Sequence, residues 1–255
     1  MTRWRTWLRP RGSANRPAPS VGEGTRVYAI GDIHGRADLL DALLSMIGQD
    51  DAVRTLLPPH IVFLGDFINR GPSSRQVVER AMALSATGGD IRCLKGNHEE
   101  VFVLAARGDA RAIPIFRRME GAATLVSYGL DEADYSRMDN DDIAAWMLTH
   151  IPRDHVDFID AMNDFTIIGD YLFVHAGVRP RKPIEEQDGA DLRWIRQEFL
   201  SHRAMHPWMV VHGHTISEDV DERPNRIGID TGAYQSGRLT AIGLEGSRRW
   251  FLQTS

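Results

Sequence analysis

The sequence predicts an α/β fold. Short apolar runs alternate with stretches of helical periodicity through the first half of the chain, as successive βαβ units require. Polar clusters flanked by glycine sit where these runs end, and in such sheets ligands gather at the carboxyl ends of the strands. The chain of 255 residues fits one such domain with a large core, and its motifs run almost from end to end.

Residues 1–25 stand apart from this pattern. Arg3, Arg5, Arg9, Arg11 and Arg16 precede the first acid, Glu23, and Pro10, Pro17 and Pro19 oppose regular structure. The reading is a basic, disordered tail. Trp4, Trp7 and Leu8 also suit an interfacial anchor on anionic lipid, or a peptide that docks on a partner. Residues 26–255 form the folded domain.

Val27–Ile30 is the first buried strand and ends at Gly31-Asp32. A helix follows, with Leu39, Leu40, Leu43, Leu44 and Ile47 on one face and Asp38 near its start. Ile61–Leu64 is the second strand, ending at Gly65-Asp66. Pro72 and Ser73 open a helix that runs to about Ser85. Ile91–Leu94 is the third strand and ends at Gly96-Asn97-His98. Residues 100–165 read as a mostly helical insertion beside the site, with the acidic stretch Asp131–Asp142 as a loop. Strands return at Thr166–Ile168, Tyr171–His175, Trp208–Val211, Arg226–Ile229 and Leu239–Leu244. The last pair flanks Asp230-Thr231-Gly232 and is expected to close the fold as an antiparallel arm.

Bulk properties exclude several classes. A formal charge of −5 argues against a general nucleic-acid binder. The single cysteine, Cys93, rules out an internal disulfide or a thiolate zinc cluster and reads as a small core residue. No apolar run approaches the roughly 20 residues needed to span a bilayer. The N-terminal segment lacks an apolar signal-peptide core, so a cytoplasmic location is expected.

The chemistry lies in five motifs: Gly31-Asp32-Ile33-His34-Gly35, Gly65-Asp66-Phe67-Ile68-Asn69-Arg70-Gly71, Gly96-Asn97-His98-Glu99, Val174-His175-Ala176-Gly177 and Gly213-His214-Thr215. Hard oxygen donors mixed with imidazole suit a pair of divalent cations, and paired cations suit phosphoryl transfer to water. Asp32 and His34, two apart in an extended segment, would point to the same side and share an ion. Asp66 has two carboxylate oxygens and can bridge ions roughly 3.5–4 Å apart. Asn97 offers a neutral amide oxygen, which leaves the site more positive than Asp would. His175 and His214 follow strongly apolar strands, where a neutral imidazole needs a partner.

His98, beside Asn97, is left to protonate a leaving oxygen, and Glu99 either starts a helix or supports His98 from behind. Arg70 and Arg196 offer guanidinium forks for phosphate, with Arg179 a competitor. His212 reads as a core residue or a support for the ligands. His60, His150, His155, His202 and His206 read as structural or surface residues.

Together these motifs resemble the calcineurin-like metallophosphoesterases, and more narrowly the bacterial and phage branch of the phosphoprotein phosphatases, over roughly residues 26–250. The resemblance implies a two-sheet β sandwich flanked by helices. It implies one ion on Asp32, His34 and Asp66 and a second on Asp66, Asn97, His175 and His214. It further implies His98 as general acid and Arg70 and Arg196 as phosphate clamps. Manganese would be the usual metal, with iron or zinc as alternatives.

One position departs from the family pattern: Asn69 stands where Asp is usual. Asn69 could orient His98 through its carbonyl oxygen but brings no charge to stabilise the imidazolium. The expected activity is hydrolysis of phosphomonoesters by a hydroxide bridging the ions, with phosphoserine or phosphothreonine in a protein as the leading substrate. Dinucleoside polyphosphates of the diadenosine tetraphosphate type and phosphodiesters are the enzymatic alternatives. A catalytically weak phosphate- or partner-binding protein is the alternative of another class.

Overall fold

The computed structural model describes residues 17–255. In chain order the strands are β1 (Arg26–Ile30), β2 (His60–Phe63), β3 (Ile91–Cys93), β4 (Phe165–Ile168), β5 (Tyr171–Val174), β6 (Met209–His212), β7 (Asp221–Arg223), β8 (Arg226–Gly228), β9 (Thr240–Glu245) and β10 (Arg248–Gln253). They form two five-stranded mixed sheets, ordered β10-β9-β1-β2-β3 and β4-β5-β6-β8-β7. In the first, β1, β2 and β3 run parallel and β9 pairs antiparallel to β1. In the second, β5, β6 and β8 run parallel, with antiparallel strands β4 and β7 at the edges.

The two-residue period of a strand sorts side chains between layers. Val27, Ala29, Val62 and Leu64 meet Tyr171, Phe173, Val211 and Ile227 of the other sheet. Their neighbours Tyr28, Ile30 and Phe63 turn outward onto helices α1 (Ala37–Ala52) and α2 (Ser74–Ser85), which bury Leu39, Leu40, Leu43, Val77 and Val78 there. The outer face of the second sheet places Leu172, Val174 and Val210 against Leu192, Ile195 and Phe199. The result is the two-sheet sandwich flanked by helices that the family resemblance implied.

Between β3 and β4 lies a helical segment of α3 (Asn97–Ala106), α4 (Ala112–Arg118), α5 (Ala122–Ser127), α6 (Glu132–Tyr135), α7 (Asn140–His150) and α8 (Arg153–Asp160). Two short helices, α9 (Gly189–Trp194) and α10 (Gln197–Leu200), follow β5, and α11 (Ala233–Ser236) follows β8. Among the described residues no helix is long and apolar enough to cross a membrane.

Two expectations need correction. The acidic stretch Asp131–Asp142 is not one loop. Asp131 and Asp139 instead cap α6 and α7, accepting backbone N–H groups of Ala133 and Asp134, and of Asp141 and Asp142. The last two expected strands do not form an arm together, because β8 belongs to the second sheet and β9 to the first. Each has its own hairpin partner, β7 and β10, whose charged residues concealed them.

Of the expected tail, residues 1–16 lie outside the described residues. Residues 17–25 have neither helix nor strand, as the prolines suggested. They are nevertheless held: Ser20 N–H donates to Asp170 at 3.0 Å, and Val21, 3% exposed, packs between the sheets.

Candidate metal centre

The polar clusters converge at one end of the sandwich. The first sheet delivers Asp32 and His34 after β1, Asp66 after β2, and Asn97 and His98 on the first turn of α3. The second delivers His175 after β5 and His214 after β6. All seven are buried. Close approach depends on glycine: Gly65 has φ +103°, and a Cβ there would stand 2.9 Å from Nδ1 of His175. A Cβ on Gly213 would run into the Asp32 carboxylate.

Two groups of potential ligands form around one carboxylate. His34, Asp66 and His98 make the first, and Asp66, His175 and His214 the second. Asp66 Oδ2 lies 3.4 Å from His34 Nε2, while its Oδ1 lies 3.4 Å from His175 Nε2. Asn97 Oδ1 lies 3.0 Å, and His214 Nδ1 3.2 Å, from the same His175 nitrogen.

Asp32 is near but in neither group. Its carboxylate accepts the His214 backbone N–H, at 3.0 Å to Oδ2, and faces the buried Asp230. His34 also departs from expectation: its φ of +47° takes it off the extended path, so the simple rule that i and i+2 share a side does not place it.

The tautomers fit cation ligation. His34 Nδ1 donates to the carbonyl of Ile68 at 2.8 Å, and His175 Nδ1 to that of Leu64 at 2.9 Å. Each leaves Nε2 as a lone pair aimed at Asp66. Burial, reinforced for His34 by the Arg70 charge, pushes its pKa down to about 3; burial alone leads for His175, down to about 4. Burial and the His175 charge take His214 to about 2. Neutral imidazole is the ligating form. Burial conversely raises Asp32 and Asp66 above the usual carboxylate range, so these oxygens lack a cationic neighbour adequate to their charge. His214 Nε2 is buried without a hydrogen-bond partner. This donor set fits divalent cations.

Around the ligands stand the remaining candidates. Arg70 lies with its guanidinium 4.5 Å over the ring of Tyr234, and its buried Nε is without a hydrogen-bond partner. Its charge acts on Asp32, Asp66 and His34. Arg196 precedes α10 and acts electrostatically on Asp66, His175 and His214. Arg179, the competitor, is engaged elsewhere, with Asp191 and Glu198 at 2.6 Å. His212 is bound to Arg226 and packs on Phe199, a structural place.

Of the two readings of Glu99, the helix start holds: Glu99 sits in the first turn of α3 and accepts the N–H of the N-cap Gly96, and it does not back His98. Its carboxylate accepts N–H groups of Asp66, Phe67 and Gly96, and so holds the loop that carries Asp66. Asn69 turns its amide nitrogen, not its carbonyl oxygen, to His98 Nδ1 at 2.8 Å; the oxygen is taken by the Thr124 hydroxyl at 2.7 Å.

Asp230 and Tyr234 were missed. A polar triplet ending a strand marked Asp230, but nothing in the sequence pattern marked Tyr234, whose ring lies 5.5 Å from that of His34.

The calcineurin-like phosphoesterase family description matches residues 25–241, most of the chain. The chain belongs to that family. Metallophosphoesterases of this kind are hydrolases, and the relatives carry hydrolase names. A symmetrical bis(5′-nucleosyl)-tetraphosphatase of Acidovorax ebreus is 34% identical over 160 residues, 63% of this chain and 47% of that protein, so the match spans about half the relative's length. An asymmetrical bis(5′-nucleosyl)-tetraphosphatase of Bacillus velezensis is 25% identical over 235 residues, covering 84% of this chain and 86% of the relative. The crystal structure of a candidate diadenosine tetraphosphatase superposes with a TM-score of 0.63 at 20% identity, over 91% of this chain and 95% of that one, and shares the phosphoesterase fold.

Proposed function

We propose that this metallophosphoesterase hydrolyses dinucleoside polyphosphates, cutting a phosphoric anhydride. The observation that carries the choice of substrate is the uncharged partner of His98. Asn69 places an amide nitrogen at Nδ1, so no carboxylate steadies an imidazolium there. A serine alkoxide leaves poorly without a full proton, whereas a nucleotide leaves with its charge spread over phosphate oxygens. Weak acid assistance therefore suits an anhydride better than phosphoserine. The names of the two curated relatives point the same way.

In this reading Asp32, His34, Asp66, Asn97, His175 and His214 hold two divalent cations, with manganese favoured. When bound, such ions supply a nucleophile from water at neutral pH and offset phosphoryl charge. Arg70 and Arg196 take the phosphoryl oxygens and stabilise the charge that develops in the transition state. Stacking on Tyr234 holds the Arg70 fork in place. His98, neutral and with its proton on Nε2, directs that N–H at the departing oxygen and steadies the charge developing there as a hydrogen-bond donor.

The deciding experiment incubates the manganese-loaded protein with diadenosine tetraphosphate and, separately, with a phosphoserine peptide. We expect nucleotide products at a kcat/KM well above phosphate release from the peptide. The reverse ranking returns the reading to a phosphoprotein phosphatase. Absence of metal-dependent turnover on either substrate, or on p-nitrophenyl phosphate across pH 5–9, makes the chain a binding protein.

A further inference from the structure

Thr124 lies on α5, remote in sequence from every motif, and is fully buried. Its hydroxyl meets Asn69 twice: Oγ1 lies 2.7 Å from Asn69 Oδ1 and accepts the Asn69 backbone N–H at 2.9 Å. The buried Ser74 hydroxyl stands 3.1 Å from the same oxygen and 3.0 Å from the Asn69 nitrogen. Thr124 is fixed in turn, because its carbonyl accepts the Ser127 hydroxyl at 2.6 Å. One residue further on, the Arg70 N–H donates to the Glu120 carbonyl at 3.3 Å. The helical segment thus grips the loop at Asn69 and Arg70, two residues held at φ +68° and +69°.

We propose that Thr124 is a positioning residue: by fixing the side-chain amide of Asn69 it selects which ring nitrogen of His98 carries the proton. The argument rests on the proposed role of His98 and is a matter of donors and acceptors. A threonine hydroxyl has one proton. Given to Asn69 Oδ1, that proton leaves the amide nitrogen, a donor only, facing His98 Nδ1 at 2.8 Å. Nδ1 must then accept, so the neutral ring carries its proton on Nε2. That nitrogen lies 3.8 Å from Asp66 Oδ2, on the side of the ligand cluster where a leaving group would sit. Given instead to Ser74, the same proton frees the amide to turn over, and His98 would then hold its proton on Nδ1, away from the substrate. The choice between Asn69 and Ser74 as acceptor sets the tautomer, and the shorter contact is to Asn69.

The test compares Thr124→Val, which keeps shape and removes the hydroxyl, with Thr124→Ser, which keeps it. Nitrogen-15 spectra of the His98 ring in zinc-loaded protein should show the Nε2–H form in wild type and Thr124→Ser, and a shift toward Nδ1–H in Thr124→Val. On phenyl phosphate, whose leaving oxygen is more basic and depends on a donated hydrogen bond, Thr124→Val should lose about 10-fold in kcat, a part of what a general acid supplies, with KM and metal content unchanged. It should cause no further loss in a His98→Ala background. An unchanged tautomer in Thr124→Val, or an equal loss of kcat with and without His98, overturns the proposal. If Thr124→Val does not fold, Ser74→Ala decides: removing the competing acceptor should leave the Nε2–H form in place, and a switch to Nδ1–H overturns the assignment. None of these readouts needs diadenosine tetraphosphate, so failure of that substrate would leave this proposal standing.

Discussion

The carboxylate of Glu99 accepts the backbone N–H of Asp66 at 2.7 Å. It takes the N–H groups of Phe67 and Gly96 as well, each at 2.9 Å. One buried side chain thus satisfies three backbone donors from two separate motifs and sets the path of the loop bearing Asp66, the candidate shared ligand. Leaving a buried donor unpaired costs about 1–3 kcal/mol. Glu99→Ala should therefore lose more than about 3 kcal/mol of unfolding free energy in urea titrations, and with it most of the metal affinity. A loss below about 1 kcal/mol would show that the loop holds its path without Glu99.

Asn69→Asp tests the electrostatic account of His98. Burial, followed by the charges of His34 and Arg70, holds the His98 pKa well below its ordinary value. A carboxylate at Nδ1 favours the charged ring and raises that pKa. The alkaline limb of the pH–rate profile should move to higher pH, and substrates with poor leaving groups should gain more than anhydrides. A profile identical to wild type would remove the reason given for the substrate preference.

Arg70, at the site, and Arg179, the competitor engaged elsewhere, should carry unequal weights. Arg70→Ala should lower kcat/KM about 100-fold, the usual scale for one charged donor to a transition state. Arg179→Ala should stay within about twofold, because its guanidinium is tied to Asp191 and Glu198. Equal losses would mean that Arg179 leaves its carboxylate partners and acts on the substrate as well.

Cation binding should depend on pH with a definite sign. Burial raises Asp66 to about 7 and raises Asp32 as well, so below that range these carboxyls carry protons that an incoming cation must displace. The imidazoles, held at about 2–4 in His34, His175 and His214, stay neutral and impose no such cost. The rise in Tm on adding manganese should therefore be larger at pH 8 than at pH 5.5, as calorimetry can show. A pH-independent increment would mean that the carboxylates are already ionised in the metal-free protein.

Most of the architecture was legible because burial imposes period. Val27–Ile30 and Ile61–Leu64 read as strands since both of their faces are covered, and the Leu39–Ile47 helix since one face is. Strands β7 and β10 were not legible: Asp221-Glu222-Arg223 and Arg248-Arg249 lie at sheet edges, where charge is tolerated and the apolar signal vanishes. The ligand candidates were legible as motifs, but their orientation was not. His34, Asp66, Asn69, Arg70 and His214 all have positive φ, which strand geometry does not anticipate. Thr124 was illegible for a different reason: its importance comes from a partner 55 positions away.

The candidate ligands divide between the sheets, His175 and His214 on one and the rest on the other. Elsewhere the halves meet through side chains such as Val27, Phe173 and Val211, a contact with no preferred direction. A cation held by both would act as a rivet, adding a fixed angle to an otherwise greasy seam. Chelation should then loosen the molecule first at the mouth of that seam, and slow amide exchange in β5 and β6 would record how firmly the rivet is set.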